Sequence, residues 1–244
     1  MKGLWRWLAL VLLAFLALQL FFVLRIALMA RIAPESTSFQ RSALIAQWRG
    51  HQPLHWQQQW VPYARISDQL KRAVIASEDD GFTQHDGVEW SAIERAWERN
   101  AAARAQAERA EQRHPGRPMR AVRLRGGSTI TQQLAKNLLL SGERTLARKG
   151  QELVLAYALE ALLSKQRILE IYLNNVEWGD GIYGAEAAAR HYYRKSAAQL
   201  TAPEAARLAV MLPAPRRFEK TPQSAYLAGR TRTILARMPA AQLP

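Results

Sequence analysis

Glu78 opens the run EDDGFTQHDG at residues 78–87, and it stands where a carboxylate costs free energy. The preceding segment, SDQLKRAVIAS at residues 67–77, has helical period. Leu70 and Val74 fall four residues apart on one face, and Glu78 continues the series. The helix thereby carries an acid on its apolar side, just before Gly81 breaks the pattern. A carboxylate so placed is unfavourable unless something uses it. General acid–base work is the chemistry that suits it. Asp79, Asp80, Phe82 and His85 follow at once.

A second candidate lies in RGGSTITQQLAKNLLL, residues 125–140. Thr129 and Gln132 have the spacing of a capping box, and Ile130, Leu134 and Leu138 mark the apolar face of the helix it would start. Glycines before Ser128 leave backbone N–H groups open, with Lys136 two turns in, alongside Gln133 and Asn137. Such an arrangement can hold an anion. An ordinary capped helix fits the same residues equally well, and the spacing of a Walker loop is missing. Further on, Arg148 and Glu152 are i, i+4 on a helix expected over residues 145–163, with Lys149 beside them. A solvated ion pair is the plain reading. Leu146, Gly150, Leu153, Val154 and Leu162 predict that this helix is substantially buried, and a buried Arg–Lys–Glu face points to a site.

These groups need a scaffold, and the 244-residue chain is long enough to bury a core. Its long patterns have helical period, and strand or hairpin signals are hard to find, so the expected class is mainly α. Helices are expected at residues 90–113, 165–175, 185–193, from Thr201 onward, and at 222–238, with EWGDGIYG at 177–184 as a loop. The formal charge of +14 implies an anionic partner. There is no cysteine, which excludes thiol catalysis, disulfides and thiolate metal sites.

From Trp7 to Leu24 only Gln19 is polar. That run suits one transmembrane helix, with Trp5 and Trp7 as an interfacial belt, better than a cleaved signal peptide. Lys2 and Arg6 before the span against Arg25 and Arg31 after it leave the topology undecided. The expected organisation is a cytoplasmic tip and anchor at 1–32, a juxtamembrane connector at 33–66 without strong periodicity, and a catalytic domain at 67–244. Trp48, Trp56, Trp60 and Tyr63 in the connector are read as packing residues. Arg117, Arg120, Arg123 and Arg125 form a basic loop that fits either solvent or anionic headgroups.

Five motifs occur in order: EDDGFTQHDG, RGGSTITQQLAKN, RKGQE, KQRILEIYLNNVEWGDGIYG and EAARLAVMLPAP. With them the chain resembles the peptidoglycan glycosyltransferases over about residues 61–218, and most of all their monofunctional members. No SxxK or KTG box of a transpeptidase is present. The resemblance implies a lysozyme-like glycosyltransferase domain behind a single N-terminal transmembrane helix. That domain would lie on the periplasmic side of the bacterial inner membrane and polymerise lipid II into β-1,4-linked glycan. By resemblance Glu78 is the general base, and Glu152 is a second carboxylate near the donor diphosphate. Lys136, Arg144, Arg148 and Lys149 would surround that diphosphate. Ser128, Thr129, Gln132 and Gln133 would line the cleft, with Asp79, Phe82 and His85 in support. A divalent metal, Mg or Mn, is expected, its ligands unknown, with no organic cofactor. Partners would be lipid II, the lipid-linked glycan chain, the membrane and other cell-wall or division proteins, but not nucleic acid. The chain departs from the pattern at Glu89, where the family has Asp, and in a longer Arg/Ala-rich segment at 99–123.

Two rival readings remain at this stage. A lysozyme-like hydrolase or lytic transglycosylase would use Glu78 but gives the basic set nothing to do. A non-catalytic membrane-anchored scaffold would leave both sets idle.

Overall fold

The computed structural model describes residues 2–113, 127–143 and 145–244. Arg144, Arg117, Arg120, Arg123 and Arg125 lie outside the described residues, as does part of the 99–123 segment.

The chain begins with α1 (Lys2–Leu28), the one helix among the described residues long and apolar enough to cross a membrane. Most of it is exposed, but Ile26 and the following Met29 are buried in the main core. Arg167 Nε donates to the Met29 carbonyl at 2.8 Å, closing the helix end onto the folded body. Where no strong period was expected, α2 (Ser38–Arg49) forms behind a capping box. Thr37 accepts from the Gln40 N–H, and the Gln40 side chain accepts from the Thr37 N–H. Its apolar residues are too few for a clear stripe, so tertiary contact with a later helix, not periodicity, holds it.

A two-residue strand, β1 (Gln57–Gln58), precedes α3 (Asp68–Glu78), whose N-cap is Ser67. Next come α4 (Trp90–Arg113), α5 (Ile130–Leu139), α6 (Leu146–Leu162) and α7 (Lys165–Asn175). The expected loop at 177–184 is instead a hairpin of β2 (Glu177–Gly179) and β3 (Ile182–Tyr183), with β1 added in parallel to β3. Strands this short carry too few residues for a period to be read. Gly181 at the turn has φ +73°, and a Cβ there would lie 2.5 Å from the His55 carbonyl oxygen, so β1 can approach only a glycine. The chain closes with α8 (Ala185–Tyr193), α9 (Ala202–Met211), a short unforeseen α10 (Pro215–Lys220) and α11 (Ala225–Arg237).

Two helix groups share one core. In the first, α9 packs on both α3 and α11. In the second, α5 packs on α6 and α7, with α2 against α5 and α1 against α6. Trp56, Trp60 and Tyr63 pack as expected, against Tyr183, Arg167 and Lys71 respectively, whereas Trp48 is exposed.

α6 does bury one face, but not the one expected: of the residues that predicted its burial, only Leu153 is even half-buried. Its inward face is Glu152, Leu155, Ala156 and Leu159. Leu146, Gly150, Val154 and Leu162 face outward instead, with Leu146 92% exposed. The apolar count was right for the helix, but it describes two faces and only one meets the core.

Candidate active site

Glu78 is the last residue of α3, part-buried in the wall that faces α5. Gln133 Nε2 donates to Glu78 Oε2 at 3.0 Å, and Ser77 Oγ lies 3.4 Å from Oε1. The buried Tyr172 on α7 donates its hydroxyl to Gln133 Oε1 at 3.0 Å. Because that oxygen is engaged as an acceptor, the Gln133 amide must turn its NH₂ toward Glu78. Burial pushes the Glu78 carboxyl above the usual carboxylate range. The Gln133 and Ser77 hydrogen bonds pull it back in part, and nearby Asp79 pushes it further up. Burial also drives the Tyr172 hydroxyl well above its usual value, so it serves as a neutral donor.

The loop after Glu78 is stitched to the start of α5. Buried Asp79 accepts from the Ile130 N–H at 2.9 Å and from His85 Nε2 at 2.9 Å. His85 Nδ1 accepts from the Gly87 N–H at 3.1 Å, which sets the tautomer with the proton on Nε2. Thr129 Oγ1 donates to the Gly87 carbonyl at 2.6 Å. Gly87 has φ +86°, and a Cβ there would meet Glu160 Cγ at 2.9 Å. Beneath it Glu160 accepts from Thr131 and Lys165, and the Lys165 ammonium also sits 4.7 Å over the buried Phe82 ring. Asp79, Phe82 and His85 therefore stand behind Glu78 and fix where its helix ends.

Opposite, α5 and α6 enclose a cavity of about 260 Å³. Ser128, Gln133, Lys136, Arg148, Lys149 and Glu152 line it, with Glu143 and, from α2, Phe39. Glu152 is 3% exposed. Its Oε2 accepts from Arg148 Nη1 at 2.9 Å and its Oε1 from Lys149 Nζ. Thr145 caps α6 through the Arg148 N–H, and Lys149 also reaches Ser128 Oγ at 3.3 Å. The buried Arg148 Nε–H has no hydrogen-bond partner among the described residues. Lys136 Nζ lies 5.8 Å over the Phe39 ring. A neighbouring cavity of about 220 Å³ shares Phe39, Gln133 and Lys136 and continues past Asn137, Asn175 and Glu177. Gln133 thus touches the carboxylate of one wall and lines the cation pocket of the other.

Thr129 and Gln132, expected in the cleft wall, are buried at 3% and 1% and turn away from the cavity. The Thr129 N–H donates to Gln132 Oε1 and the Gln132 N–H to Thr129 Oγ1, each at 3.1 Å. The cap thus engages Thr129 Oγ1 and Gln132 Oε1 within the helix start. Sequence reading missed Tyr172, Phe39, Glu160 and Lys165. Tyr172 gave no signal, being one more large residue on the buried face of α7.

Asp79, His85 and Glu89 bring one ligand atom each within 4.8 Å of one another and form a carboxylate/His group that could hold a metal ion. An ion there would have to replace the Asp79–His85 hydrogen bond, and Glu89 Oε1 already pairs with Arg95 at 2.6 Å.

A mainly helical body thus sets a desolvated carboxylate near a cation-lined pocket, the arrangement of an enzyme that pairs proton transfer with an anionic group. The family model described as Transglycosylase matches residues 45–239, and the chain belongs to that family. It is 51% identical over 239 residues to the biosynthetic peptidoglycan transglycosylase of Herminiimonas arsenicoxydans, covering 98% of this chain and 96% of that protein. The like-named protein of Bordetella pertussis is 55% identical over 212 residues, 86% of this chain and 82% of its own length. That of Paraburkholderia xenovorans is 49% identical over 243 residues, with 98% and 94% covered. The fold is the lysozyme-like glycosyltransferase fold, and the activity is peptidoglycan glycosyl transfer in cell-wall synthesis. The N-terminal apolar helix is compatible with a membrane anchor.

Proposed function

We propose that Glu78 is the general base for polymerisation of lipid II. It takes the proton from the 4-hydroxyl of the acceptor N-acetylglucosamine. That oxygen attacks C1 of the lipid-linked donor chain, the C1–O bond to undecaprenyl diphosphate breaks, and inversion leaves a β-1,4 link. A sugar hydroxyl is a weak nucleophile, and a positioned base contributes about 10²–10⁴-fold. The carboxyl whose burial raises its proton affinity suits that step.

The departing diphosphate gathers negative charge, which Lys136, Arg148 and Lys149 stabilise from fixed positions, with Arg144 expected to join them. Glu152 orders Arg148 and Lys149 rather than moving a proton. Ser128 and Gln133 line the substrate path, while Thr129, Gln132, Asp79, Phe82 and His85 position it. Mg or Mn would add charge neutralisation at the diphosphate, with Glu143 and Glu152 the carboxylates at the pocket. Both Glu152 oxygens are occupied by cations, so no step is assigned to the metal. The domain is placed on the periplasmic side of the inner membrane, behind a single-pass anchor ending near residue 32. A connector at 33–66 and the catalytic domain at 67–244 complete the proposed organisation.

The observation that carries this reading is the Gln133 side chain, which joins a proton-accepting wall to an anion-binding wall in one cleft. A glycan hydrolase needs the first wall and not the second. The test is to incubate the detergent-solubilised protein with lipid II and a divalent metal. Glycan polymer on a gel is expected; shortening of preformed glycan without new polymer would overturn the assignment.

A further inference from the structure

Gln19 is the only polar residue between Trp7 and Leu24, and it is not left to the lipid. Gln151 on α6 donates Nε2 to Gln19 Oε1 at 2.9 Å, and Gln19 Nε2 lies 3.4 Å from Gln151 Oε1. In hydrocarbon an amide without a partner is costly, and a reciprocal pair between helices removes that cost while fixing their register. Gln19 is five residues inside the end of the apolar run at Leu24, about 7.5 Å along the helix axis. Gln151, in contact with it, is held at the same depth. Interfacial helices bury their apolar faces by about 5–10 Å, so the two depths agree.

The outward face of α6 answers to that depth. Leu146, Gly150, Val154, Tyr157 and Ala161 stand at i, i+4, i+8, i+11 and i+15, one exposed stripe along the helix. Leu146 is 92% exposed, Val154 55% and Tyr157 42%. Arg148 and Glu152 lie on the opposite side, in the cation pocket. We propose that α1 and α6 form one membrane-set unit, locked in register by Gln19 and Gln151. Its exposed α6 stripe meets lipid hydrocarbon, and its pocket face opens at headgroup level. Gln151 is thereby a positioning residue, holding the pocket where a lipid-borne diphosphate lies. This rests on reading α1 as a membrane span.

The chain has no cysteine, so Leu146→Cys accepts a single fluorescent label. In vesicles, lipids brominated on their acyl chains should quench that label and aqueous iodide should not. Quenching by iodide would overturn the lipid contact. Shielding from both quenchers would assign the stripe to a protein partner instead. In the same vesicles, Gln19→Leu and Gln151→Leu should each lower turnover of the full-length polyprenyl substrate by about threefold or more. Turnover of a short-chain, water-soluble analogue should not change, and the double variant should be no worse than either single one. Unchanged vesicle activity, losses that multiply, or an equal loss on the soluble analogue would each sink the lock. If the wild type makes no polymer while the label is lipid-buried, the catalytic reading fails alone. Should it make polymer with the label in water, this inference fails alone.

Discussion

Glu78, hydrogen-bonded to Gln133, and Glu152, which lines the same pocket as Gln133, are kept in different company. At Glu78, α5 supplies an amide and α3 a hydroxyl, both neutral, and no salt bridge forms among the described residues. At Glu152, α6 brings Arg148 from i−4 and Lys149 from i−3 against both oxygens. A carboxylate in a desolvated wall with no cation bonded to it, only the more distant Arg230, holds its proton more tightly and so can accept one from a substrate. One hydrogen-bonded by two cations orders them. On the proposed roles, identical side chains serve proton transfer and charge positioning, and their neighbours decide which.

The largest effect should come from the Glu78 wall. Glu78→Gln preserves the Gln133 contact, so the protein should fold. Polymerisation of lipid II should fall by about 10²–10⁴-fold. Wild-type polymer yield from this variant would erase the distinction between the walls. Next is Lys136→Ala. Removing one charge aimed at a developing anion typically costs about 10²–10³-fold in turnover. The loss should appear with diphosphate-linked donor at every concentration; a rate unchanged across that series would remove Lys136 from the anion wall.

A smaller effect should sharpen the comparison. Tyr172→Phe removes the donor that orients Gln133 and leaves its amide free to turn away from Glu78. One neutral hydrogen bond is worth about 1 kcal/mol, so turnover should drop roughly fivefold. The activity rise with pH should begin above the ordinary carboxylate range in the wild type. It should move higher still in the variant, since the charged form of Glu78 loses a donor. A pH profile with an unmoved limb would show that Gln133 is held by something else.

Much of this contrast was legible in residue order. The spacing of Leu70, Val74 and Glu78 put the proposed base on the inner face of α3, and the Thr129–Gln132 capping box started α5 where expected. Legibility failed where a residue's role depends on what packs across from it. Thr129 and Gln132 have the chemistry to bind a sugar, yet the cap engages Thr129 Oγ1 and Gln132 Oε1, and both residues are buried. Leu146, Gly150, Val154 and Leu162 of α6 were expected to be buried, yet they face outward. Phe39 reaches the pocket only because α2 folds against α5, a contact 90 or more residues away along the chain.

The smallest effect concerns stability, and it separates the walls by sign. The folded-state pKa of Glu78 lies above its ordinary value of 4.5, chiefly from burial. Between those two values the folded protein binds more protons than the unfolded chain, so stability falls as pH rises through that window. Above it the cost of the buried charge is complete, and below about 4.5 it vanishes. Glu78→Gln carries no charge at any pH, so its melting temperature should exceed that of the wild type near neutrality, by about 2–4 °C for each kcal/mol relieved. The gain should shrink to nothing as pH falls below the window. Glu152→Gln should do the opposite, lowering the melting temperature at neutral pH because Arg148 and Lys149 lose their shared counter-ion. Near neutrality the two variants therefore depart from the wild type in opposite directions. Parallel shifts of the same sign would mean that the two carboxylates are held alike.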